Sequence, residues 1–134
     1  MKVVLDTNVF VSGAFFSGPP FQILQAWRDG KIQLVISPEI LYEYRRVGEI
    51  LAEEYLTIDL EPILEYAIHH AVVFSAPPLP ERVCDDADDD KFLACALASG
   101  SNLVVSGDKH LLKVSGYQNI EVLKPRDFLD KNLR

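Results

Sequence analysis

The chain is poor in cysteine, histidine and positive charge, and has no long apolar run; each shortage removes a class of function. Its two cysteines, Cys84 and Cys95, match no zinc-ligand spacing, and Cys95 falls inside an apolar helical pattern where a reduced thiol is an ordinary core residue. The three histidines, His69, His70 and His110, are neither paired at i, i+4 nor set among cysteines, which argues against a zinc centre. No apolar stretch approaches the roughly 20 residues of a membrane-spanning helix. The first such stretch is interrupted by Asp6 too early to act as a signal peptide, so the expected location is the cytoplasm with no membrane contact. With 13 basic against 20 acidic residues, the net charge of −7 argues against holding nucleic acid through a broad basic surface. A nuclease is not excluded, because metal ions supply positive charge locally. Basic residues are also unevenly spread: Lys109, Lys113, Lys124, Arg126, Lys131 and Arg134 face only Glu121, Asp127 and Asp130 over the same stretch.

Apolar residues make up 49% of the 134, and neither low-complexity tracts nor internal repeats occur, so residues 1–134 are expected to form a single domain. Val3-Val4-Leu5, Leu34-Val35-Ile36, Leu103-Val104-Val105 and Glu121-Val122-Leu123 read as strands, with a shorter one over 71–74. Helical patterns cover 8–16, 21–29, 59–70 and 88–99, with a further helix opening at the cap residue Ser37 and its following Pro38, a short turn near Leu111 and a terminal helix from Pro125. A proline-rich loop spans 76–81. Continuous apolar strands alternating with helices predict an α/β fold with a parallel sheet covered on both faces. Ligands of such folds sit outside the carboxyl ends of the strands.

Acidic residues stand at those ends. Strand Val3-Val4-Leu5 runs into Asp6, and strand Leu103-Val104-Val105 runs through Ser106 and Gly107 into Asp108. Each alone reads as a helix cap or turn former; both together on one sheet point to a shared site. Glu43 lies beside Ile40, Tyr44 and Val47 on the helical face that meets the core, where it pairs with Arg45 or Arg46, lies at a rim, or serves a site; Glu39 lies one turn earlier on a similar face. In the run Asp85-Asp86-Ala87-Asp88-Asp89-Asp90, helical phasing turns Asp90 toward Leu93, Ala94 and Leu97, and Asp89 toward Phe92 and Ala96. Asp90 is therefore the expected inward acid, with Asp86 and Asp88 as auxiliary groups and the remainder complementing the helix dipole. Gathered carboxylates repel and need a counter-charge, and an all-oxygen set suits magnesium or manganese. Lys91, Lys109 or His110, adjacent to the acids, are candidates to orient a phosphate.

Four blocks, Val3-Val4-Leu5-Asp6-Thr7-Asn8, Ser37-Pro38-Glu39-Ile40-Leu41-Tyr42-Glu43, Asp88-Asp89-Asp90-Lys91-Phe92-Leu93-Ala94-Cys95-Ala96-Leu97 and Val104-Val105-Ser106-Gly107-Asp108-Lys109-His110-Leu111-Leu112, resemble in order the signatures of the PIN domain. They are most similar to the PIN-family toxins of bacterial and archaeal toxin–antitoxin systems. The resemblance implies a three-layer fold around a central parallel sheet and a magnesium- or manganese-dependent endoribonuclease. It also implies a homodimer silenced by a small antitoxin. The family's acids fall on Asp6, Glu43, Asp90 and Asp108, with Asn8 and Ser106 as polar neighbours. A haloacid-dehalogenase-like phosphatase would need a second aspartate where Asn8 stands. The rival from another class is a PIN fold kept as a catalytically silent binding or assembly module.

Overall fold

The computed structural model describes residues 1–133; Arg134, the last of the basic residues named above, lies outside them. Five strands form one sheet: β1 (Lys2–Leu5), β2 (Gln33–Ile36), β3 (Val72–Val73), β4 (Leu103–Val105) and β5 (Glu121–Leu123). Their order is β3-β2-β1-β4-β5 and every pairing is parallel. Successive residues Val3, Val4 and Leu5 are all buried, as are Leu34 to Ile36 and Leu103 to Val105. Side chains alternate between the faces of a strand, so unbroken burial means that helices cover both. The expectation of an α/β fold with a parallel sheet flanked by helices is met.

The helices are α1 (Thr7–Phe15), α2 (Pro19–Arg28), α3 (Pro38–Glu54), α4 (Glu61–His70), α5 (Asp90–Ser99), α6 (Lys109–Leu112) and α7 (Pro125–Asn132). Their starts follow from local chemistry: Asp6, Ser37 and Asp108 each accept a backbone N–H of the first turn, and prolines open α2, α3 and α7. Gly100, at φ 74°, ends α5 in the left-handed conformation. Helix α5 packs on β1, β2 and β4, while α1 packs on α2 and α3, and α2 on α7. No helix among the described residues is long and apolar enough to cross a membrane.

Two features position the site. Strands are added outward from β1 to β2 to β3, then the chain returns to the other side of β1 to lay down β4 and β5, so the order reverses between β1 and β4. The carboxyl ends of these two strands border the crevice where ligands of open parallel sheets bind. The ladder continues into it, since the Asp6 N–H donates to Val105 O at 3.0 Å. The second feature is Tyr44, fully buried on α3, whose hydroxyl donates to Leu5 O at 2.5 Å and whose ring stacks on Phe10 at 4.1 Å. This ties α3 to the end of β1 and to α1 at once, and so brings Glu43 beside Thr7.

Candidate metal centre

Asp6 is buried at the end of β1. One oxygen, Oδ1, accepts the Val9 N–H at 2.8 Å, and Oδ2 accepts the hydroxyl of Ser106. Ser106, itself fully buried, accepts in turn the Asp108 N–H at 2.9 Å. One serine hydroxyl therefore links the acids of β1 and β4. Burial pushes the Asp6 carboxyl above its ordinary range; the bonds from Ser106 and Val9 oppose the rise, and Asp108 and Glu43 add to it. The Asp108 Oδ1 caps α6 by accepting the His110 N–H at 2.8 Å.

Glu43 projects from α3 with its side chain 18% exposed. Its Oε2 accepts the Thr7 hydroxyl, and its Oε1 meets Lys91 Nζ at 2.6 Å and Arg46 Nη2 at 3.9 Å. Of the two arginines open as partners from the sequence, only Arg46 is near; Arg45 turns to Glu61 at 3.0 Å and Glu49 at 3.6 Å. The nearest cation comes from α5 instead. Lys91 is adjacent to the aspartate run, so the pair bridges two blocks far apart in the chain.

The aspartate run differs from the helical phasing. It enters α5 through a 3-10 turn, Ala87–Asp89, and the α-helix proper starts only at Asp90. A 3-10 turn winds three residues rather than 3.6, so phasing projected backward from α5 reaches Asp90, its first residue, but does not carry across to Asp89. The Asp90 Oδ1 accepts the Cys84 N–H at 2.8 Å and its Oδ2 the Val83 N–H at 2.9 Å, so both oxygens hold the preceding loop. Asp89 is the acid that feels the others: burial, then Asp108, then Asp86 push its carboxyl up to about 6, with Asp6 contributing in the same direction and His110 opposing. Its Oδ2 is buried and has no hydrogen-bond partner among the described residues. Asp86 Oδ1 caps the 3-10 turn by accepting the Asp88 N–H at 3.0 Å, and Asp88 and Asn8 are exposed.

Asp6 thus lies in electrostatic reach of Glu43, Asp89 and Asp108 at the reversal point, and Asp89 in reach of Asp108 and Asp86. Among the described residues, no three acidic, histidine or cysteine side chains close around a single point. An orphaned carboxylate oxygen on Asp89, beside a second acid, Asp6, whose carboxyl is also raised, fits a hard, oxygen-seeking cation, and the donors are oxygens throughout. Magnesium or manganese fits this set. Thiol chemistry does not, because burial pushes Cys84 and Cys95 up to about 12. Elsewhere, Lys113 pairs with Asp85 at 3.2 Å and Lys131 with Glu121 at 2.6 Å, so two of the basic residues of the last stretch are spent on local acids.

Parallel sheet, reversal point and acidic crevice describe an α/β protein with a candidate site at its strand ends, and the comparisons give the family. The family model described as PIN domain matches residues 2–110, and the chain belongs to that family. PIN domains are generally nucleases that use divalent metal ions and bind RNA. The chain is similar to the uncharacterized protein MJ1680 of Methanocaldococcus jannaschii, at 29% identity over 98% of this chain and 91% of that protein. It is also similar to the RRP44 PIN domain of T. brucei, with a TM-score of 0.49 and 18% identity over 97% of this chain and 79% of the other.

Thr7 and Asp89 are candidates that the structure adds and that the sequence reading did not select. Asp89 stands in the run itself, but the unpartnered oxygen that singles it out depends on the turn type, which the run does not reveal. Nothing in the sequence marks Thr7 as a partner of Glu43, because that contact depends on the seat of Tyr44.

Proposed function

We propose that this chain is a magnesium- or manganese-dependent endoribonuclease whose metal is held by Asp6, Glu43, Asp108 and an acid of the aspartate run. The observation that carries the reading is the unpartnered Asp89 Oδ2, buried where Asp108 and Asp6 raise its pKa. Its geometry favours Asp89 as the third acid, whereas the helical pattern favoured Asp90. When bound, the cation lowers the pKa of an attacking water and offsets charge on the leaving oxygen. Ser106 orients Asp6 and fixes Asp108 beside it, Thr7 and Lys91 hold Glu43 from opposite oxygens, and the Val83 and Cys84 amides anchor Asp90. The set of residues offers no side-chain nucleophile and no histidine pair for transfer through the 2′-hydroxyl. Water is then the nucleophile, and the products carry 5′-phosphate and 3′-hydroxyl ends.

The test is incubation of purified protein with structured and unstructured RNA in magnesium, manganese or chelator, with Asp6→Asn as control. Metal-dependent cleavage that Asp6→Asn abolishes supports the reading; 2′,3′-cyclic phosphate ends, or cleavage in chelator, refute it. A catalytically silent binding module is the second reading, to which the lack of three acids converging on one point among the described residues lends support. RNA binding without cleavage in either metal would establish it. On the four sequence blocks we extend the first reading to a cytoplasmic toxin, homodimeric and silenced by a small antitoxin. Growth arrest on induction, relieved by co-expressing the product of the adjoining gene, tests that extension.

A further inference from the structure

Beside the acids, α3 presents an aromatic ring to solvent. Tyr42 is 69% exposed, the most exposed aromatic among the described residues, and stacks on no other ring there. It precedes Glu43 directly and lies one helical turn before Arg46, so ring and guanidinium share a face. Arg46 is itself 54% exposed, with only the 3.9 Å approach to Glu43 to occupy it. Tyr42, Glu43 and Arg46 form one wall of a cleft of about 460 Å³, and Lys91 and Asp88 lie across it. Glu43 and Lys91 belong both to this cleft and to the metal centre, so the two are continuous.

The chemistry of the cleft is selective. Glu39 and Asp88 on its walls repel phosphates, and Lys91 is engaged by Glu43 at 2.6 Å, which leaves Arg46 as the more open cation for one. A neutral base has no such conflict and gains by covering an exposed ring. In a duplex both faces of each base are covered by neighbours, so the ring is open only to an unpaired base. We propose that Tyr42 is a stacking platform for one unpaired base of a single-stranded RNA substrate, with Arg46 holding the phosphate attached to it. The inference rests on the nuclease reading and adds to it the two side chains that would seat the strand beside the acids.

The experiment uses the Asp6→Asn protein with magnesium, which leaves RNA intact, and a single-stranded oligoribonucleotide carrying 2-aminopurine, whose fluorescence falls on stacking. Added Tyr42→Ala should abolish the quenching and weaken binding about tenfold, as loss of one base–aromatic stack does. Tyr42→Phe should preserve both, and Arg46→Ala should weaken binding while sparing the quenching. In the active protein, Tyr42→Ala should raise KM and leave kcat within about twofold. Melting temperatures should stay unchanged, since the ring is exposed. Equal quenching and affinity in Tyr42→Ala would overturn the platform and leave the nuclease intact. Failure of the Asp6→Asn protein to bind an RNA that the active protein cuts would also overturn it. An unsubstituted protein that neither binds nor cuts single-stranded RNA would overturn both readings.

Discussion

Neighbouring aspartates of similar appearance do different work because of what their oxygens meet. Asp90 spends both oxygens on the Val83 and Cys84 amides, whereas Asp89 leaves one buried oxygen without a partner. In Asp90→Asn the side-chain amide has only one acceptor oxygen, so one loop N–H is left unmatched. That should cost about 1–3 kcal/mol of stability, the range for an unsatisfied buried donor. Asp89→Asn instead removes a charge that its neighbours oppose, so the metal-free protein should be equally or more stable while manganese affinity falls by orders of magnitude. Calorimetric titration with manganese and melts in chelator separate the two. Loss of manganese binding in Asp90→Asn alone would return the role to Asp90.

At the scale of elements, five strands and the major helices were legible because their causes are local: branched apolar runs for strands, and Asp6, Ser37 and Pro38 at helix starts. The 3-10 entry to α5 was not legible, since a run of identical acids has no apolar period that could mark a change of winding. The Glu43–Lys91 pair was equally hidden, because it depends on how α3 and α5 pack against each other. Close approach also explains Gly13 in α1, where an added Cβ would lie 2.8 Å from both the Pro20 carbonyl oxygen and Leu24 Cδ1. Alanine gains about 1 kcal/mol over glycine in helix propensity. Overpacking costs about 1–3 kcal/mol, and here one obstacle is backbone that cannot rotate away. Gly13→Ala should therefore be net destabilising, read as a lower denaturant midpoint with unchanged slope. A raised midpoint would show that α1 and α2 separate without penalty.

The whole molecule should register its acids as a pH dependence. The Asp89 carboxyl titrates at about 6 in the fold against 3.8 when free, so between these values the folded chain binds more protons than the unfolded one. Stability of the metal-free protein from this group is therefore greatest below that window and is lost as pH rises through it. Asp6, also raised, acts in the same direction; the exposed Asp85, lowered by Lys113, opposes it. Melts in chelator should show the decline, and Asp89→Asn should flatten it. Because protons and cation compete for the same oxygens, the rise in melting temperature on adding magnesium should be larger above the window than below it. A rise independent of pH would place the cation elsewhere.

The reversal of strand order also sets a condition on synthesis. Asp6 leaves the ribosome well before its partners Ser106 and Asp108, which follow 100 and 102 residues later, after every strand except β5. A nascent chain therefore carries no complete acid set until β4 has emerged and slid in beside β1. A chain cut short before β4 lacks half of the candidate site, whatever the rest of its fold has achieved.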